Sequence, residues 1–356
     1  MAVVGLVMPA AGQAPAAKPA GKATAKAYTP PKTPWGDPDL QGVWPSTSLI
    51  GTPLERDRNL GTRSVLNNEE YAVRQNRRQA EEDFDSAEFV SEKTRCDPNT
   101  PGGRIPGVDR GPGNGYVSCG ANGVTIGPPL YWDERGKPNR QASLVVDPPD
   151  GRLPPQTAQT QKVVAARAAM NRQYADTRGR TDTYEDRSLQ ERCISFGPSG
   201  FLPAGYDSGN EIVQAPGYVV IRIEKIHEAR VVPLDGRGHN GSGIRSWLGD
   251  SRGHWEGNTL VVETTNFNGK ANLGGAPISD GLREVERFTL VDRNTLQYEL
   301  TVEDSKTWTK AWTASFHLPR DNNYQLYEYA CHEGNYAMYN TLAGARMLEK
   351  AAAGKK

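Results

Sequence analysis

Five histidines occur in this chain, and all lie between His227 and His332. Two sit in His-Glu pairs, Ile226-His227-Glu228 and Cys331-His332-Glu333. Imidazole is the side chain whose ordinary pKa lies nearest neutrality, which suits it to proton transfer and metal ligation. In an acid–base site His227 or His332 would act as base or acid, with Asp250 or Glu333 orienting it or sharing the proton work. The candidate catalytic residues are therefore His227, Asp250, His332 and Glu333. The same stretch holds Trp247, Trp255, Trp308 and Trp312. Trp247, Trp255 and Tyr329 would wall a ligand, and Arg230 or Arg252 would hold an anionic group, with His254 in the same polar segment.

That segment, Trp247 to Glu256, has an alternation that can be tested. If it is extended, Asp250, Arg252, His254 and Glu256 share one face, and Ser251 and Trp255 share the other. Such a face either lines a concave polar site or is a solvated outer surface of ion pairs, each contributing little. Tyr329-Ala-Cys-His-Glu-Gly-Asn-Tyr336 reads as the end of a last strand, with Asn335 placed to cap the helix that follows. His227, His332 and a carboxylate are metal-ligand types, but no H-E-x-x-H or H-x-H spacing accompanies them, and no metal is assigned. The chain has no G-x-S-x-G elbow, no phosphate-binding G-x-x-x-x-G-K-[ST] loop and no dinucleotide fingerprint, so no cofactor is expected. Glu263, Glu286, Glu303 and Asp304 lie on strands or their ends and leave paired-carboxylate glycoside chemistry open.

The elements that must position these groups read as follows. Asp37 to Trp44 opens the ordered part, with Trp44 as its anchor. Asn67 to Asp83 is a helix, with Asn67 as cap and Glu70 three residues on. Leu144 to Val146 is a short strand closed by the turn Asp147-Pro-Pro-Asp-Gly151. Thr157 to Tyr174 is a second helix, with apolar Val163, Val164, Ala166 and Met170. From Leu189 onward the pattern is strands and turns: Tyr218–Glu224, Ala229–Pro233, Thr259–Thr265, Leu282–Val291, Thr295–Glu303, Thr309–Leu318 and Tyr324–Tyr329. A helix from Tyr336 to Lys350 follows. Closely spaced strands with short turns run antiparallel and close into a barrel or sandwich.

Charge is balanced, 42 Lys+Arg against 42 Asp+Glu, which gives no basic excess for nucleic acid. The partner expected is a small-molecule ligand or substrate. Residues 1–35 read as a signal-like apolar stretch and a flexible Ala/Pro/Lys linker. No apolar run is long enough to span a bilayer. Residues 36–186 read as a loop-rich region whose two helices pack on the barrel, and 187–350 as the antiparallel barrel or sandwich with its C-terminal helix. Four cysteines in an exported chain suggest disulfides. The preferred pairing is Cys96–Cys119 across a Gly/Pro-rich loop and Cys193–Cys331.

Ser246-Trp-Leu-Gly-Asp-Ser-Arg-Gly-His-Trp-Glu-Gly-Asn-Thr-Leu-Val-Val-Glu-Thr-Thr-Asn-Phe267 is distinctive. With Glu211 to Tyr218, Asp147 to Arg152 and Tyr329 to Tyr336, it resembles a numerous family of exported, uncharacterised bacterial β-rich proteins. The likeness runs from about Gly36 to Arg346. It implies export and a single β-rich fold, and it carries no catalytic residues. The reading is a mainly β, lipocalin-like antiparallel barrel or sandwich, periplasmic or secreted. Its function is expected to be acid–base catalysis as a hydrolase, lyase or isomerase on a small polar or aromatic molecule. The alternatives are a non-catalytic binding protein and a cell-envelope structural protein.

Overall fold

Period-two alternation builds most of this molecule. A computed structural model describes residues 28–86, 118–119, 125–126, 134, 136–173, 180–198, 201–203 and 205–354. The early strands are short: β1 (Gly42–Val43), the mutually paired β2 (Ser118–Cys119) and β3 (Thr125–Ile126), and β4 (Val145–Asp147). Longer ones follow as β5 (Asn210–Ala215), β6 (Tyr218–Ile223) and β7 (Ala229–Pro233). Next come β8 (Asp250–Glu256), β9 (Thr259–Thr265), β10 (Asn272–Leu273) and β11 (Ala276–Pro277). The last are β12 (Arg283–Asp292), β13 (Thr295–Glu303) and β14 (Trp312–Pro319). Three helices complete the described residues: α1 (Asn68–Ser86), α2 (Ala158–Gln173) and α3 (Ala337–Ala353).

The protein is therefore mainly β, and its two principal sheets are antiparallel. One runs β1-β5-β6-β7, the other β4-β14-β13-β12-β9-β8. On β12, β13 and β14 every second residue is buried: Phe288, Leu290, Leu296, Tyr298, Leu300, Val302, Trp312, Ala314, Phe316 and Leu318. These join Ile212, Val219, Ile221, Ile223 and Val232 of the smaller sheet in one hydrophobic cluster. Burying those faces supplies most of the folding free energy.

No closed barrel forms among the described residues, because the larger sheet ends at β4 and β8. β7 and β8 meet through side chains, not through a backbone ladder. A side chain at Gly253 of β8 would strike Val232 and Leu234, at 2.8 and 2.7 Å. The expected strand Tyr324–Tyr329 is also absent, and that segment is irregular. Its backbone spends a donor on a side chain instead of a neighbouring strand: the Tyr327 N–H donates to Glu224 Oε1 at 2.9 Å.

The helix expectations fare better. Asn67 and Glu70 form a reciprocal cap on α1, at 2.8 and 2.9 Å, and Thr157 caps α2 through the Thr160 N–H. Asn335 does not cap α3. Its amide donates to Glu191 O and reaches Cys193 Sγ, while Tyr336 takes the cap position without a side-chain bond. Trp44 is fully buried with the Arg320 guanidinium over its ring at 4.4 Å. The Cys193–Cys331 bond is formed. The expected Cys96–Cys119 pair involves Cys96, which lies outside the described residues.

Charge also crosses the core. Arg230 of β7 makes a two-bond fork to Glu286 of β12, at 2.5 and 2.8 Å, and the Tyr298 hydroxyl donates to Glu286 Oε1 at 2.9 Å. Arg230 is 8% exposed and Glu286 0%. Burial alone would weaken Arg230's hold on its proton, but Glu286 outweighs it and the guanidinium stays charged. Removing one partner strands the other charge in a dry interior. Glu286→Leu and Arg230→Met should each cost about 3–5 kcal/mol in urea unfolding, and the double variant should cost less than the two singles together.

Candidate functional site

The pairing of β5 with β6 sets Asn210 opposite Ile223. The residues just before β5, Asp207 to Gly209, must therefore lie beside those just after β6, Glu224 to Glu228. Two of the four non-glycine residues with positive φ among the described residues lie here. Asp207 and Ile226 both have positive φ, 47° and 51°. A β-branched residue in that region is rare and costly. Gly209 answers to crowding: a side chain there would meet Tyr324 Cε1 at 2.6 Å and Glu224 Oε2 at 2.7 Å.

Three carboxylates converge at this sheet end. Glu134, Asp207 and Glu224 each offer an oxygen within 4.8 Å of the others. Glu134 is tied in by the Ser208 N–H, which donates to it at 2.8 Å. Glu224 accepts from the Gly209 N–H at 3.1 Å and from the Tyr324 hydroxyl at 2.7 Å. The Tyr324 hydroxyl also bonds Glu134. Burial and these two carboxylates push the Tyr324 phenol far above its ordinary value, so it stays a donor.

Lys225 lies under this cluster at 5% exposure. Its ammonium donates to the backbone carbonyls of Tyr206 and Asp207, not to a carboxylate. It also faces the rings of Tyr206 and Phe196, 5.1 and 5.5 Å from their centroids. Burial pushes Lys225 down to about 8 from 10.5, although the three carboxylates pull the other way. Burial, with Glu224 and Glu134 nearby, pushes Asp207 up to about 6. An acid near 6 and an amine near 8 straddle neutrality. Because Lys225 supplies the counter-charge, the cluster is assigned no metal.

An aromatic wall stands beside it. Tyr206 and Tyr329 stack at 6.4 Å and 17°, and Phe196 meets both edge-on. The Phe196 N–H is held by Glu228 at 2.8 Å. Tyr329 is carried here by the segment that Cys331 ties to Cys193.

Of the residues expected from sequence, Tyr329 belongs to this site. His227 lies two residues beyond Lys225, and its side chain is outside what the structure describes. His332 and Glu333 are exposed just past Cys331. His332 lines a surface groove with Tyr184, Arg192, Ile194, Asn335 and Met338. Arg230 is committed to Glu286 in the core.

Asp250, Arg252, His254 and Glu256 do share the outer face of β8, while Ser251 and Gly253 of that strand are buried behind them. Trp247 is half-buried in the loop before β8, and Trp255 packs against the core. Asp250 pairs with Arg252 at 2.6 Å and with His239 at 3.1 Å. His239 also reaches Glu263 at 3.1 Å, bridging two carboxylates from the loop before β8. Burial would raise Asp250, but the Asn240 N–H, Arg252 and His239 outweigh it and hold the carboxylate below its ordinary value. His254 pairs with Glu256, which Arg287 also holds. This is a network of ion pairs on a solvated sheet face. No hydrogen bond among the described residues links Asp250 with His332.

Glu134, Asp207, Glu224, Lys225, Tyr206 and Tyr324 were not singled out from sequence. One signal was there: Glu224-Lys225 stands directly after a strand whose Val219, Ile221 and Ile223 face the core, where charge is costly. A scan against protein-family models finds no match, and neither do comparisons with curated proteins and with solved structures.

Two stability measurements follow from this geometry. Gly209→Ala should destabilise by about 1–3 kcal/mol in urea unfolding, whereas Gly238→Ala, which meets open space, should be near neutral. Because folding depresses the Lys225 pKa, the unfolded chain binds more protons between about pH 8 and 10.5. Wild type should therefore gain about 3 kcal/mol on Lys225→Met across that window, read from urea curves at both ends.

Proposed function

We propose that this protein is an exported enzyme that runs acid–base chemistry on a small aromatic or polar molecule at the Asp207–Lys225–Tyr324 cluster. The observation that carries the reading is the buried ammonium, held by two carbonyls among three carboxylates on strained backbone. Such groups lower stability, and they are retained where their reactivity is used. Asp207 would shuttle the proton. Tyr324 would hold the Glu134 and Glu224 carboxylates in place, and Tyr206, Tyr329 and Phe196 would hold the ring of the substrate. The proton work thus moves from the histidines to a carboxylate and an amine. Export is supported by the Cys193–Cys331 bond and by the resemblance to exported bacterial proteins. Among the described residues no helix is long and apolar enough to cross a membrane. The two sheets sharing one core support an open sandwich over a lipocalin-like barrel.

The aromatic trio favours one alternative, a binding protein for planar ligands without turnover. The two readings separate on Asp207. In a panel of small aromatic esters, lactones, glycosides and carbonyl compounds, turnover should follow a bell with limbs near pH 6 and pH 8. Asp207→Asn should remove the lower limb and cost roughly 100-fold or more. If the panel shows binding that Tyr329→Ala abolishes and Asp207→Asn spares, the protein is a binder.

A further inference from the structure

Lys225 differs from a structural lysine in its surroundings. Buried lysines are rare and are nearly always paired with a carboxylate. This one donates to the carbonyl oxygens of Tyr206 and Asp207 and lies against two aromatic rings. Glu134, Asp207 and Glu224 act on it through space, and the carboxylate pair Glu134 and Glu224 is already occupied by the Tyr324 hydroxyl. The amine is thus placed at the foot of an aromatic wall, with a titratable acid one peptide unit from its own acceptor. A desolvated amine beside a proton carrier is the arrangement used for covalent chemistry with carbonyl compounds.

We propose that Lys225 is a nucleophilic amine that forms a protonated imine with a small aromatic aldehyde or ketone, the ring resting against Tyr206, Tyr329 and Phe196. This names the substrate class of the acid–base site and rests on that reading. The ammonium first gives one proton to the Asp207 carboxylate. The free amine then donates its lone pair to the carbonyl carbon, and the C=O π pair moves to oxygen, which takes up the proton from nitrogen. Asp207 returns its proton to the carbinol oxygen, the C–O bond breaks and water leaves. The nitrogen lone pair closes the C=N bond. The sum is an ammonium and a carbonyl going to a protonated imine and one water, with no oxidant or reductant. Desolvation favours it further, because burial holds the amine near 8 and so leaves a usable free-base fraction at neutral pH.

The test is brief treatment of the full chain with 4-hydroxybenzaldehyde and sodium cyanoborohydride at pH 7, followed by peptide mass mapping. The imine is reduced to a stable benzylamine on the lysine that formed it. Lys225 should be labelled at least roughly tenfold faster than the exposed Lys310 and Lys350. Lys225→Arg, which keeps the charge and cannot form an imine, should lose that label with its near-ultraviolet circular dichroism unchanged. Label confined to surface lysines in a folded wild type overturns the proposal.

Asp207→Asn separates the two ideas. If Lys225 labels rapidly and Asp207→Asn leaves both the labelling rate and panel turnover unchanged, the imine stands and Asp207 is no proton carrier. If Lys225 never labels while Asp207→Asn abolishes panel turnover, acid–base catalysis stands and the imine falls.

Discussion

The fork between Arg230 and Glu286 is the interaction on which the rest of the structure depends. It joins the two sheets through the middle of their shared core, and Tyr298 completes the bonding of the carboxylate. A buried ion pair contributes little net stability over a well-packed apolar pair. What it contributes is position. Losing the fork would strand a buried charge, so it fixes the place of β7 against β12. Arg230 lies only two residues beyond Glu228, where the strained turn ends. The exit of the turn is fixed by that fork, and its start is fixed by Glu224, which takes the Gly209 and Tyr327 N–H groups. Between these two anchors the chain can hold Ile226 at positive φ and bury the Lys225 ammonium.

The two faces of the larger sheet do different work. The inner face is a continuous apolar layer interrupted by Glu284 and Glu286. The outer face carries Asp250, Arg252, Glu256, Glu263, Arg283 and Arg287 in mutual ion pairs. These half-exposed pairs are screened and individually weak. They keep that face in water, and with His239 they fasten the loop before β8 to it. Two of the chain's histidines, His239 and His254, thus serve the solvated side of a sheet. The Lys225 cluster lies elsewhere, at the end of β5 and β6.

Strands and helices were legible because they are written locally. The period-two pattern of residues 283–303 and the reciprocal Asn67/Glu70 cap need no distant partner to be recognised. The Cys193–Cys331 bond was legible because four cysteines leave few choices. The segment from Tyr324 to Tyr329 misled for a physical reason. Its apolar and aromatic spacing matches a strand, but the groups that satisfy it are a hydroxyl-to-carboxylate bond and a side-chain acceptor, neither of which has a sequence period. Closure into a barrel was equally beyond local pattern, since it turns on whether β7 and β8 pair by backbone or only by side chain.

The sequence by itself determined the β-rich class, the positions of most of the longer strands, the Asn67/Glu70 cap and the oxidisable cysteine pair, because propensity and periodicity act over a few residues. Tertiary structure alone assembled the Lys225 cluster. Glu224 adjoins Lys225 in the chain, but Glu134, Asp207 and Tyr324 do not, and only the β5–β6 register and long-range contacts such as those of Tyr324 bring them to it. The pKa of a buried amine is set by what surrounds it in space, and no local pattern in the chain records that.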